Sequence, residues 1–164
     1  MKKTFTITST ITELGSANEL NAEEKNLLSV AKKATKSAYA PYSNFFVGAA
    51  ILLDDGTIVT GNNQENVAFP SGLCAERVAL FTAGAQYPHK RIKTIAVTAT
   101  TKKFILNKPI SPCGDCRQVM AESEDRNQKN IRIILAGETG KVYIVDSVKD
   151  LLPLMFSGKG LRKA

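Results

Sequence analysis

Apolar and polar positions change period several times along the chain, and each change marks an element. The first twenty residues are rich in Thr and Ser and alternate only weakly at Phe5, Ile7, Ser9 and Ile11, which predicts an edge strand or a loosely attached arm. From Asn21 the spacing turns helical. Asn21 is placed as an N-cap with Glu24 three residues on, and Leu27, Leu28, Ala31, Ala34 and Ala38 recur at helical intervals until Pro41 stops the run. Residues 45–53 are apolar and partly β-branched, and Asp54-Asp55-Gly56 turns them into residues 57–61, a β-hairpin pattern. A polar loop over 62–66 leads to a second helix over 74–85, and a strand follows over 92–100. Ser111-Pro112 reads as a helix opening with proline at the first helical position, and the helix continues over 113–122. Strands over 131–136 and 142–145 flank a turn at 137–140. Asp146 or Ser147 then caps a short helix bearing Val148, Leu151 and Leu152, which Pro153 interrupts. The order α-β-β-α-β-α-β-β-α predicts one α/β domain, a sheet layered with helices.

Composition narrows the class. A chain of 164 residues supplies one domain with a substantial core and is too short for two ordinary ones, so residues 1–164 are expected to form a single unit. Contents of 43% hydrophobic and 23% charged residues are those of a globular protein in water. Met1-Lys2-Lys3 is followed by Thr and Ser rather than an apolar h-region, and no apolar run approaches the roughly 20 residues of a membrane span. A cytoplasmic protein without a membrane partner is the expectation. The net charge of +7 is spread over Lys25, Lys32, Lys33, Lys36, Lys90, Arg91, Lys93, Lys102, Lys103, Lys108 and a tail with Lys159, Arg162 and Lys163. No basic stretch is interleaved with aromatics, as single-strand binding would favour, so these read as solvated side chains and no nucleic-acid partner is expected.

Candidate chemistry lies in three cysteines, Cys74, Cys113 and Cys116. Their odd number and the C-x-x-C spacing argue against a disulfide framework. Three thiolates on tetrahedral zinc leave one position open, the arrangement of a catalytic metal, and Glu76 stands two residues from Cys74 to handle protons. Cys74 and Cys113 fall at helix starts, where free N–H groups and the positive dipole end stabilise a thiolate. Three thiolates give the centre a net negative charge that opposes acidification of a bound water, and Arg77 is placed to donate to the sulfurs and offset it. Two plainer readings remain on spacing alone: a redox pair, or a structural site completed by the only histidine, His89, itself otherwise an exposed loop residue.

The segments 41–50, 63–66, Cys74-Ala75-Glu76-Arg77-Val78-Ala79 and Ser111-Pro112-Cys113-Gly114-Asp115-Cys116-Arg117-Gln118 resemble, in order and spacing, the cytidine deaminase family. The likeness runs from about residue 21 to 161, and the pairing of Cys-Ala-Glu-Arg with Pro-Cys-Gly-x-Cys-Arg-Gln is far more specific than either half. Zinc deaminases as a class activate a water on the metal and move its protons with a glutamate that is not a ligand, and a three-cysteine ligand set is one of their forms. The resemblance implies a three-layer α-β-α fold with a central mixed sheet of about five strands. It implies one zinc per subunit on Cys74, Cys113 and Cys116, with Glu76 passing protons from water to N3 of the pyrimidine and to the departing ammonia. Cytidine and deoxycytidine would yield uridine and deoxyuridine in pyrimidine salvage. Asn63 and Glu65 would bind the ribose 3′-hydroxyl, although as residue types they equally suit a polar turn. Phe45 would pack beside the base, or simply in the core, and the Ala75 backbone would contact the base.

The resemblance further implies a homotetramer in which Phe156 and Tyr42 complete neighbouring pockets; the plainer role for Phe156 is to anchor the C-terminal segment. Phe69 departs from the tyrosine often found in relatives, removing a hydroxyl, and the first twenty residues lie outside the likeness. Competing readings are deamination of another cytosine nucleoside such as blasticidin S, and a non-catalytic zinc or nucleic-acid-binding module on the same fold.

Overall fold

Strand alternation builds the architecture, because consecutive side chains leave a strand on opposite faces. The computed structural model describes residues 1–158; the basic tail residues Lys159, Arg162 and Lys163 lie outside them. The elements are β1 (Thr12–Leu14), α1 (Ala22–Ala34), β2 (Phe45–Leu53), β3 (Ile58–Asn62), α2 (Ala75–Gln86), β4 (Ile92–Thr101), α3 (Gly114–Asn127), β5 (Arg132–Ala136) and β6 (Val142–Val145), with short 3-10 turns between some of them. They form one mixed sheet in the order β1-β6-β5-β4-β2-β3. Only β4 and β5 run parallel, joined by a crossover through α3; the other neighbours are antiparallel.

Two apolar clusters fill the two faces. Ala49, Ile51, Leu53, Ile95, Val97, Ile133 and Leu135 pack with α2 and α3 residues such as Ala79, Leu80 and Met120. Ala50, Leu52, Ala96, Ile134 and Ala136 pack with Leu27, Leu28 and Ala31 of α1. Odd positions of β2 thus serve one layer and even positions the other, giving the expected three-layer α-β-α arrangement. Two glycines set the spacing between layers. A Cβ on Gly48 would stand 2.1 Å from the Ala31 carbonyl oxygen of α1, and one on Gly61 would stand 2.4 Å from both the Ala75 carbonyl oxygen and the Ala79 nitrogen of α2.

The expected helix caps form: the Asn21 side chain accepts from the Glu24 amide, and the Glu24 carboxylate accepts from the Asn21 amide. Ser147 rather than Asp146 caps the last turn, accepting from the Lys149 amide. Several boundaries differ from expectation. The sheet has six strands where about five were expected; the sixth is β1, which lies at the edge beside β6, the edge-strand reading of the N-terminal segment. Helix α1 ends at Ala34 and tightens into a 3-10 turn over Thr35–Ser37, so the chain leaves the helix before Pro41. Helix α3 runs five residues past Glu122, to Asn127, with Gln128 in the left-handed conformation closing it. Pro112 precedes the capping residue Cys113 instead of occupying the first helical position. No helix among the described residues is long and apolar enough to cross a membrane.

Buried Glu124 of α3 ties this half together. Its carboxylate accepts from the Ile131 amide at 2.8 Å, the Val148 amide at 3.0 Å and the Ser147 hydroxyl at 2.6 Å. Each donor is thereby satisfied without water, so this buried carboxylate has a structural role.

Candidate active site and metal centre

Helices α2 and α3 begin at one end of the sheet, and their caps are Cys74 and Cys113. Neither thiol caps by a side-chain hydrogen bond, so both sulfurs remain available to a ligand. Cys116, one turn into α3 and fully buried, brings a third sulfur to the same point. All three Sγ atoms lie within 4.8 Å of one another, and those of Cys74 and Cys113 are 3.9 Å apart. Tetrahedral zinc with bonds of about 2.3 Å holds its sulfurs about 3.8 Å apart, so the cluster fits that ion. His89 is absent from the cluster and lines a separate shallow pocket with Tyr87, Lys90 and Arg126, which removes the Cys₃His reading.

The electrostatics sort the thiols. Hydrogen bonding from the Cys116 thiol, with further help from Arg77 and Cys113 against burial, brings Cys74 down to about 5. The same hydrogen bond, followed by burial and the charge of Glu76, pushes the Cys116 thiol upward. Of this coupled pair Cys74 is the more acidic, and a bound dication would favour the thiolate form of Cys116 as well. Arg77 places Nη2 at 3.9 Å from the Cys74 sulfur. Its Nε is buried with no hydrogen-bond partner. Glu76, 5% exposed, is held above its ordinary pKa first by burial and then by the neighbouring Cys74 charge.

Above the sulfurs opens a cleft of about 990 Å³. Cys74, Glu76, Arg77 and Cys113 form part of its wall, with Phe45, Asn63, Glu65 and Tyr42 around them. Asn63 acts as a substitute strand partner where β3 ends: its Oδ1 accepts from the Val47 amide and its Nδ2 donates to the Phe45 carbonyl, both at 2.8 Å. Glu65 accepts from the Tyr42 amide at 2.9 Å, the Ser43 amide at 3.3 Å and the Ser43 hydroxyl. Burial opposes its ionisation, yet the Ser43 hydroxyl and the two amides outweigh burial and lower its pKa. Tyr42 lines this chain's own cleft and meets Phe69 edge-on at 5.8 Å between ring centres. Ala75 is fully buried and outside the cleft wall. Phe156 lies outside the cleft too, 72% exposed, its carbonyl accepting from Gln118 Nε2 at 2.9 Å. Ser43, Val47 and Ile110 line the cleft without having been singled out in the sequence. Ser43 and Val47 lie within the segment 41–50, and Ile110 directly precedes the segment that begins at Ser111, which are the signals that could have marked them.

A family profile described as the cytidine and deoxycytidylate deaminase zinc-binding region matches residues 21–129. The chain belongs to the cytidine deaminase family. A cytidine deaminase of Halalkalibacterium halodurans is 38% identical over 139 residues, 85% of this chain and 98% of that one. One of Sporosarcina psychrophila is 41% identical over 140 residues, 85% and 96% of the two chains. Among solved structures, a cytidine deaminase from Burkholderia pseudomallei aligns with TM-score 0.69 at 41% identity, covering 80% of this chain and 97% of that one. The Mycobacterium tuberculosis cytidine deaminase aligns with TM-score 0.63 at 30% identity, covering 84% and 99%. A family defined by its zinc-binding region and a three-cysteine cluster of matching size agree on one zinc per subunit.

Proposed function

We infer that this chain is a zinc-dependent hydrolase that converts cytidine and deoxycytidine to uridine and deoxyuridine with release of ammonia. The observation that carries this reading is the meeting of three thiols and a buried carboxyl, Glu76, at a cleft of about 990 Å³, at the upper end of the range of small-molecule sites and roomy enough for a nucleoside. Cys74, Cys113 and Cys116 would hold the metal. When bound, zinc makes a water nucleophilic at neutral pH. Glu76 would take a proton from the attacking water and deliver it to N3 of the pyrimidine, drawing electrons from C4 and opening it to addition of the water oxygen. Glu76 would then take the remaining proton of the hydroxyl now on C4 and give it to the 4-amino group, the carbon–oxygen double bond forming as the carbon–nitrogen bond breaks and ammonia leaves. One water is consumed and one ammonia formed, so Glu76 ends as it began. Burial suits it to this work, since water competes poorly for a proton moving between enclosed partners.

Phe45 packs beside the base in this reading, and the Ala75 backbone contacts it. Arg77 draws charge from the Cys74 sulfur. Asn63 and Glu65 read the ribose 3′-hydroxyl. Residues 1–164 work as one domain in a cytoplasmic homotetramer of pyrimidine salvage, in which Phe156 completes a neighbouring pocket and Tyr42 lines the cleft of its own chain. Support for assembly comes from large exposed apolar side chains, including Phe69, Phe81, Leu154 and Phe156.

The purified protein, with zinc content measured alongside, is expected to change the ultraviolet absorbance of cytidine and deoxycytidine as the amino group is lost. Blasticidin S serves as competitor in the same assay. Preference for the antibiotic transfers the activity to that substrate, and inert protein carrying full zinc removes the enzyme reading.

A further inference from the structure

Tyr42-Ser43-Asn44 forms the rim of the cleft, and its conformation is held from inside. Asn44 has φ of 58°, the left-handed region, where the chain turns into β2. Ser43 is the centre of this turn. Its hydroxyl donates to Glu65 Oε1 and accepts from the Phe45 amide at 3.0 Å. One small side chain thus links the carboxylate on one wall to the backbone of the aromatic residue on another.

Counting hydrogen-bond capacity shows what remains for a ligand. Asn63 spends one of two Nδ2 hydrogens on the Phe45 carbonyl, and one of two Oδ1 lone pairs on the Val47 amide. Glu65 Oε2 takes two amides, from Tyr42 and Ser43, while Oε1 takes the Ser43 hydroxyl alone. One donor on Asn63 and one acceptor site on Glu65 Oε1 stay free. That pair matches a hydroxyl, which donates once and accepts readily. We propose that Ser43 is a positioning residue for sugar recognition: by fixing Oε1 of Glu65 it selects nucleosides that carry a 3′-hydroxyl. The proposal rests on the nucleoside reading of the cleft and deepens it.

Ser43 touches no reacting atom in this scheme; any loosening of Phe45 weakens all nucleosides alike, and only the contact to Glu65 separates one sugar from another. Ser43→Ala frees Oε1 to rotate and leaves the Phe45 amide without its acceptor. The ratio of kcat/KM for cytidine over 3′-deoxycytidine is expected to fall about tenfold, the scale of one hydrogen bond to a charged group. Ser43→Thr, which keeps the hydroxyl, is expected to restore most of the ratio. A merely structural loss would weaken both substrates equally, and an unchanged ratio in Ser43→Ala overturns the proposal. Calorimetric binding of uridine against 3′-deoxyuridine reads the same discrimination without turnover. Inert wild-type protein that prefers uridine, with the preference lost in Ser43→Ala, upholds Ser43 and sinks only the catalytic reading. Equal binding of the two by wild-type protein sinks Ser43 alone.

Discussion

Glu76 and Glu65 are carboxyl groups on the wall of one cleft, and their surroundings divide them. Burial and the Cys74 charge raise the pKa of Glu76, which suits a group that must accept a proton and give it back. Glu65 faces burial too, but three donors from Tyr42 and Ser43 overcome it and favour the ionised form, which suits a fixed acceptor. The two roles therefore follow from hydrogen-bond supply more than from residue type. Glu76→Gln keeps the size and polarity of the side chain while removing its proton traffic. We expect kcat to fall by about 10²- to 10⁴-fold, the range of a lost acid/base group, with zinc stoichiometry unchanged. Turnover at the wild-type rate by the zinc-loaded variant would remove Glu76 from the reaction.

At the scale of elements, the site depends on how closely α2 lies on β3. Gly61 permits that approach and Gly48 permits the matching approach of α1 on the other face, so the two offer an internal comparison. Alanine at either position forces layers apart and is expected to cost about 1–3 kcal/mol in denaturant unfolding. Only Gly61→Ala displaces the Ala75 backbone and with it the adjacent Cys74, so only that variant should lose zinc faster to a chelator. Equal zinc loss from Gly48→Ala would mean that general loosening, and not helix placement, governs the metal. Much of this layer was legible in the sequence. The Ser111-Pro112 opening marked the helix at whose start Cys113 sits, and a short apolar, partly β-branched run marked the central strand that feeds both faces. What escaped was short or tertiary. Three residues of β1 are too few to decide between an edge strand and an arm, and the polar last turn of α3 carries no apolar stripe. The Asn63 clasp on Phe45 and Val47 is made between strand ends, so local sequence reads only as a polar turn.

For the whole molecule, the decisive fact is where Phe156 stands. It is exposed, tied by its carbonyl to Gln118 of α3, and outside the lining of its own chain's cleft. Arg117 reinforces this placement, since Nε donates to the Pro112 carbonyl at 2.9 Å and Nη1 to the Leu151 carbonyl at 2.8 Å. The residues following Cys116 thus hold both the approach to Cys113 and the C-terminal segment. If that segment serves another subunit, loss of its aromatic ring and loss of Glu76 are defects in different chains. Phe156→Ala and Glu76→Gln proteins would each be weakly active alone. Mixed under conditions that exchange subunits, they should regain activity, because a site with Glu76 from one variant can receive Phe156 from the other. Light scattering should meanwhile give four times the 17.7 kDa of one chain. An exchanged mixture no more active than the average of its parents would return Phe156 to an anchoring role within its own subunit.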